Sequence, residues 1–109
     1  MQTFYKRENK KVNINNINEI MSENDFLIDL RSESEFKEGT IPNSINVPFL
    51  HIKDWAKNYA KLDTRIYLYC QNGARSTNAA SALKKLGYTN VIDLGGLNAY
   101  NGKLKTDMK

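Results

Sequence analysis

The 109 residues hold one cysteine, Cys70, which ends the apolar run Ile66-Tyr67-Leu68-Tyr69 and opens the short polar loop Gln71-Asn72-Gly73-Ala74-Arg75. A thiol at the C-terminal end of a strand, faced by loop amides and the start of a helix, is where a thiolate is stabilised. Gly73 permits a positive φ, so successive N–H groups can turn inward as a nest. A helix beginning near Ala74 adds the partial positive charge of its N-terminus. Arg75 adds a permanent charge and a donor fork suited to an oxyanion. All three favour S⁻ over SH, and the same cradle suits a terminal persulfide, which is also negative. The competing reading is a buried structural cysteine. A core cysteine does not need Gly73 and Arg75 wrapped around it, so Cys70 reads as a nucleophile. Gln71, Asn72, Gly73, Ala74, Arg75 and Ser76 are then the residues that meet a substrate. Ser76 and Thr77 are expected to satisfy first-turn N–H groups, with Ser76 also in reach of a bound anion. The chemistry requires no metal and no organic cofactor.

The elements that must position this loop follow from periodicity and punctuation. Residues 12–14 read as a short strand, and Asn16 with Glu19 has capping-box spacing for a helix over 16–22. The run 26–30, Phe-Leu-Ile-Asp-Leu, reads as a strand covered on both faces. Ser32-x-x-Glu35 is a capping box opening a helix that ends at Gly39, and Glu35 has no further role in this reading. A strand over 45–47 is closed by Pro48. A helix over 49–62 carries Leu50, Ile52, Trp55, Ala56 and Tyr59 on one face. A strand follows over 65–69, then a helix over 74–86 capped by Gly87. The chain finishes with a strand over 91–94, a tight Gly95-Gly96 turn and a helical turn over 97–100. Residues 1–10 and 103–109 read as loose ends, with 3–5 able to pair weakly with an edge. Strands alternating with helices predict one α/β domain with a mostly parallel sheet and helices on both faces. In such sheets the site lies beyond the C-terminal strand ends, where Asp29, Arg31 and Cys70 all fall. Asp29 and Arg31 are expected to pair with each other or with loop backbone and hold the cradle in shape.

Hydrophobic residues at 40% and charged ones at 26% suit a soluble globular domain. No window approaches the ~20 apolar residues of a membrane span. The N-terminal stretch has no apolar run, so it is not a signal peptide. If the chain is complete, the protein is expected in the cytoplasm, where a single free thiol suits the reducing conditions. The net charge of +4 comes from 16 basic and 12 acidic residues. The basic residues are mostly scattered lysines without an aromatic-interleaved stripe, which argues against a nucleic-acid partner. The mild positive field favours encounters with small anions. His51 is the sole histidine, and it is not read as a catalytic base.

Several segments together resemble the rhodanese family of sulfurtransferases. Leu27-Ile28-Asp29-Leu30-Arg31 is similar to its (I/V)-D-(V/L)-R segment. Glu35-Phe36 with Gly39-Thr40-Ile41-Pro42 is similar to its E-(F/Y)…G-H-I-P stretch. Tyr69 to Ser76 resembles its catalytic loop, and Leu86-Gly87-Tyr88 through Gly95-Gly96 its closing segment. Thr40, Asn43 and Tyr100 depart from the histidine, glycine and tryptophan common at those positions. The resemblance implies a three-layer rhodanese-like domain in which Cys70 takes a sulfane sulfur from a small anionic donor such as thiosulfate and passes it on. Related folds include phosphatases and arsenate reductases with a C-x5-R loop. Here Arg75 gives C-x4-R, a smaller cradle better suited to a sulfur atom than to a tetrahedral oxyanion. With no second cysteine, the acceptor must be external: cyanide, a small thiol or a partner protein's cysteine. The rival reading is a non-enzymatic rhodanese-like module that relays sulfur or docks a partner.

Overall fold

The computed structural model describes residues 11–106; residues 1–10, including the expected edge pairing at 3–5, and 107–109 lie outside them. The sheet is built around β3 (Ile66–Cys70), whose five residues are all buried. β1 (Phe26–Asp29) pairs with it on one side and β4 (Val91–Gly96) on the other, while β2 (Ile45–Asn46) pairs with the far edge of β1. All pairings are parallel, in the order β2-β1-β3-β4. The direction of winding reverses between β1 and β3. That gap at the C-terminal strand ends is the switch point where α/β sheets leave a crevice.

Side-chain alternation along β3 divides the core in two. Ile66, Leu68 and Cys70 face a cluster with α3 (Ile52–Tyr59) and α4 (Ala74–Lys85), filled by Ile52, Ala56, Ala79, Ala80 and Leu83. Tyr67 and Tyr69 face the other cluster, with Ile17 from α1 (Ile17–Ile20) and Leu97 from a 3₁₀ turn (Leu97–Ala99). Helices therefore cover both faces, and the architecture is α/β in three layers. At the start of β1, Phe26 meets the ring of Trp55 edge-on, centroids 4.9 Å apart at 86°. Among the described residues no helix is long and apolar enough to cross a membrane, and no cluster of three or more His, Cys, Asp or Glu offers a metal site.

Four local expectations are corrected. Residues 12–14 form no strand, because the Asn13 side chain accepts the N–H groups of Asn15 (2.8 Å) and Asn16 (3.2 Å) and holds a turn instead. Asn16 caps nothing with its side chain, since its oxygen accepts the Asn13 N–H at 2.8 Å, and α1 is a single turn. The expected helix over 49–62 is a 3₁₀ turn (Phe49–His51) followed by the shorter α3. Gly95 and Gly96 are not a turn but the last residues of β4. Within the segment 103–109 read as a loose end, Lys105 exchanges backbone hydrogen bonds of 2.9 and 2.8 Å with Thr40 in an antiparallel bridge. The Ser32–Glu35 capping box on α2 (Glu33–Glu38) forms as read, both halves present.

Candidate active site

At the end of β3 the Cys70 sulfur meets the start of α4. Sγ accepts the Gly73 N–H at 3.1 Å and the Ser76 N–H at 3.4 Å. Gly73 is the N-cap residue of α4 and has no side chain to do the capping. The sulfur occupies that role from the preceding strand, taking the amide of the third helical residue as a capping oxygen would. Gly73 adopts φ +94°, left-handed backbone that a glycine enters without penalty. Asn72 tightens the bend by accepting the Ala74 N–H at 3.1 Å. Cys70 is only 2% exposed, as buried as a structural cysteine. Two convergent amides and a pocket above it separate it from one.

β4 fixes the loop from behind. Its register against β3 shifts between Leu68 and Cys70, so Leu68 pairs with Asp93 but Cys70 with Gly96. The extra residue is accommodated by Gly95 at φ +90°, a bulge held by the Asp93 carboxylate accepting the Gly95 N–H at 2.9 Å. Asp93 also accepts the Thr77 hydroxyl at 2.9 Å, which ties α4 to the bulge. Gly96 then lies against the loop so closely that a Cβ there would sit 2.8 Å from the Asn72 Cα. The Ser76 hydroxyl is fully buried and donates to the carbonyls of Gly73 (3.0 Å) and Gly95 (3.3 Å). Ser76 and Thr77 hydroxyls thus bind carbonyls rather than first-turn N–H groups, contrary to the sequence reading. The Gly73 carbonyl of the loop lies 3.0 Å from each hydroxyl and accepts from both.

Beside β3, the end of β1 carries a buried charge pair. Asp29 is 0% exposed and Arg31 is 6%. Arg31 Nη2 donates to Asp29 Oδ2 at 2.8 Å and Nε to Oδ1 at 3.1 Å. The remaining guanidinium donors reach the Gly39 carbonyl at 2.5 Å and the Gln71 side-chain oxygen at 3.3 Å. Burial alone would lower the Arg31 pKa; the hydrogen bond and charge of Asp29, aided by Tyr69 and Glu35, outweigh it and raise the value. Asp29 Oδ2 also accepts the Thr40 hydroxyl at 2.8 Å and the Tyr69 hydroxyl at 3.2 Å. The Tyr69 oxygen in turn touches Ser44 Oγ at 2.7 Å and accepts the Ile41 N–H at 3.2 Å. Burial, then the nearby Asp29 charge, push the Tyr69 hydroxyl up to about 12.

A pocket of about 280 Å³ opens above the sulfur, lined by Cys70, Gln71, Asn72, Ala74 and Arg75 of the loop and by Arg31 and Glu35. Gly73 and Ser76 are absent from its walls and reach the site only through their N–H groups to the sulfur. A roomier cleft of about 570 Å³ lies at the opposite end of the sheet, near Asp25, Arg65 and Asn90, and Cys70 is not among its lining residues. The sequence matches the Rhodanese-like domain family over residues 13–103. The chain belongs to that family. It is similar to the uncharacterized protein YqhL of Bacillus subtilis (strain 168), 42% identical over 80 residues that cover 72% of this chain and 63% of that one. A putative mitochondrial thiosulfate sulfurtransferase of Schizosaccharomyces pombe is 36% identical over 82 residues, covering 64% of this chain and 58% of that one. The chain therefore spans about six-tenths of the length of these curated relatives. Among solved structures, "rhodanese with anions from E. coli" matches with a TM-score of 0.68 and 25% identity, over 75% of this chain and 98% of that one.

Within this rhodanese-like domain the departures at 40 and 43 have local explanations. Thr40 supplies a hydroxyl to the Asp29–Tyr69 network. Asn43 adopts φ 73°, left-handed backbone that glycine enters freely and asparagine tolerates. Sequence reasoning brought Asp29, Arg31 and the loop to one end of the sheet, and they meet there. It assigned Glu35 to capping alone, whereas its carboxylate also lines the pocket. It missed Tyr69, Thr40 and Asp93. An alternating tyrosine in a strand gives no sign of the carboxylate it will meet. The one local hint was Asp93 two residues before Gly95, an Asx-turn spacing.

Proposed function

We propose that this rhodanese-like domain is a sulfurtransferase with Cys70 as the sulfur carrier. The thiolate attacks the outer sulfur of a donor such as thiosulfate, the donor's S–S bond breaks, and sulfite departs with the electron pair. Cys70 then holds a persulfide. An external thiolate, a protein cysteine or cyanide attacks the terminal sulfur, and the pair from the broken S–S bond returns to Sγ. The Gly73 and Ser76 N–H groups stabilise the negative sulfur at both the start and the end of the cycle. Arg75 at the pocket wall suits the anionic end of the donor, with Gln71, Asn72 and Ala74 shaping access. Asp29 and Arg31 act through Gln71 as positioning residues.

The observation that carries this reading is the Cys70 sulfur receiving two loop amides beneath an open pocket. Incubation with thiosulfate and cyanide is expected to yield thiocyanate, and Cys70→Ser to abolish it. Activity surviving that change would assign the chemistry elsewhere. The intact mass should rise by one sulfur after thiosulfate and fall back with a thiol. A mass that rises only with a protein persulfide would make the domain a relay rather than a thiosulfate enzyme.

A further inference from the structure

Two opposite charges line the Cys70 pocket with binding capacity in hand. Glu35 Oε1 accepts both the Ser32 N–H and the Ser32 hydroxyl at 3.0 Å, while among the described residues no hydrogen bond reaches Oε2. Capping explains Oε1 and would be served equally by glutamine. Arg75 is exposed, and among the described residues no hydrogen bond or ion pair engages its guanidinium. The third charge, Arg31, is committed to Asp29, Gly39 and Gln71. Glu35 and Arg75 do not close an ion pair with each other. Among the described residues they leave one unengaged carboxylate oxygen and one unengaged guanidinium fork, both on residues that line the same 280 Å³ space. A purely anionic ligand is attracted by one of these and repelled by the other.

We propose that Glu35 and Arg75 select an acceptor thiol that carries both an ammonium and a carboxylate group, an amino-acid or short-peptide thiol, with the ammonium on Glu35 and the carboxylate on Arg75. This rests on the reading of Cys70 as a persulfide carrier and names what empties it. The acceptor's sulfur attacks the terminal sulfur of the persulfide, a new S–S bond forms on the acceptor, and the old one breaks with its electron pair returning to Sγ. The proton lost by the acceptor thiol passes to Sγ or to water. No oxidant or reductant is consumed.

The test loads Cys70 with thiosulfate, verifies one added sulfur by intact mass, and times discharge by four thiols. L-cysteine carries both charges, cysteamine only the ammonium, 3-mercaptopropionate only the carboxylate, and 2-mercaptoethanol neither. Rates are expressed relative to 2-mercaptoethanol and compared between wild type and variant, which cancels each thiol's intrinsic reactivity. Glu35→Gln, which keeps the capping box, should lower the relative rates of L-cysteine and cysteamine roughly twofold to fivefold and raise that of 3-mercaptopropionate. Arg75→Gln should lower L-cysteine and 3-mercaptopropionate instead. In wild type the advantage of L-cysteine should shrink as salt is raised, a readout independent of any variant. Relative rates that ignore both substitutions and salt, in protein that loads normally, overturn the acceptor selection and leave the sulfur carrier standing. Wild-type protein that gains no sulfur from thiosulfate or from a protein persulfide overturns both.

Discussion

The side chains that decide the site are coupled through one carboxylate. Asp29 is fully buried and accepts from Arg31, Thr40 and Tyr69 at once. Asp29→Asn would strand the Arg31 guanidinium without its countercharge, at a cost of about 3–5 kcal/mol. A lowered denaturation midpoint measures this, and a midpoint unchanged within error would remove Asp29 from the account. Tyr69 gives a pH signature. Its hydroxyl ordinarily ionises near 10.0 and here holds its proton up to about 12. The folded state binds that proton more tightly than the unfolded state, so the contribution is complete below pH 10 and lost as pH rises toward 12. Stability measured across that window should fall in the wild type and fall less steeply in Tyr69→Phe. Cysteine, arginine and aspartate were legible in the sequence because their types and strand-end positions carry chemistry on their face. Tyr69 and Thr40 were not, since their value comes from Asp29 lying in contact across the sheet.

At the scale of elements, the loop depends on the strand behind it. Gly96 has no room for a side chain, with Asn72 backbone atoms 2.8 Å from where a Cβ would stand. Gly96→Ala should therefore push the loop off the sulfur and cut thiocyanate formation by about tenfold or more, displacement near 1 Å being enough for such losses. Thermal melting of the same variant separates a displaced loop from a lost fold. The boundaries of β1, β3 and α4 were readable from hydrophobic runs and caps, because burial on both faces and a glycine stop are written locally. The bulge in β4 was not. Gly95-Gly96 carries the composition of a turn, and only the register against β3 makes it an extra strand residue. The segment 12–14 fails for a related reason: its β-branched residues favour a strand, and the Asn13 side chain offers the backbone another partner.

The whole molecule ties its chain end to the machinery. Lys105 pairs with Thr40, and the Leu104 side chain lies about where a side chain on Gly39 would meet it, 3.0 Å away. Gly39 and Thr40 are the residues that hold Arg31 and Asp29. Deleting residues 103–109 should lower stability by about 1–2 kcal/mol from the lost backbone pair, read as a shifted midpoint, and should also slow sulfur loading. Unaltered loading in the shortened protein would limit the strap to a structural part. Far from that strap, the edge-on pair of Phe26 and Trp55 occupies the end of the sheet where strands begin, whereas Cys70 closes the other end. The protein has a single tryptophan. Its fluorescence is therefore expected to gauge the helix–sheet seam during denaturation, with sulfur occupancy at the far end of the sheet followed by mass or by product.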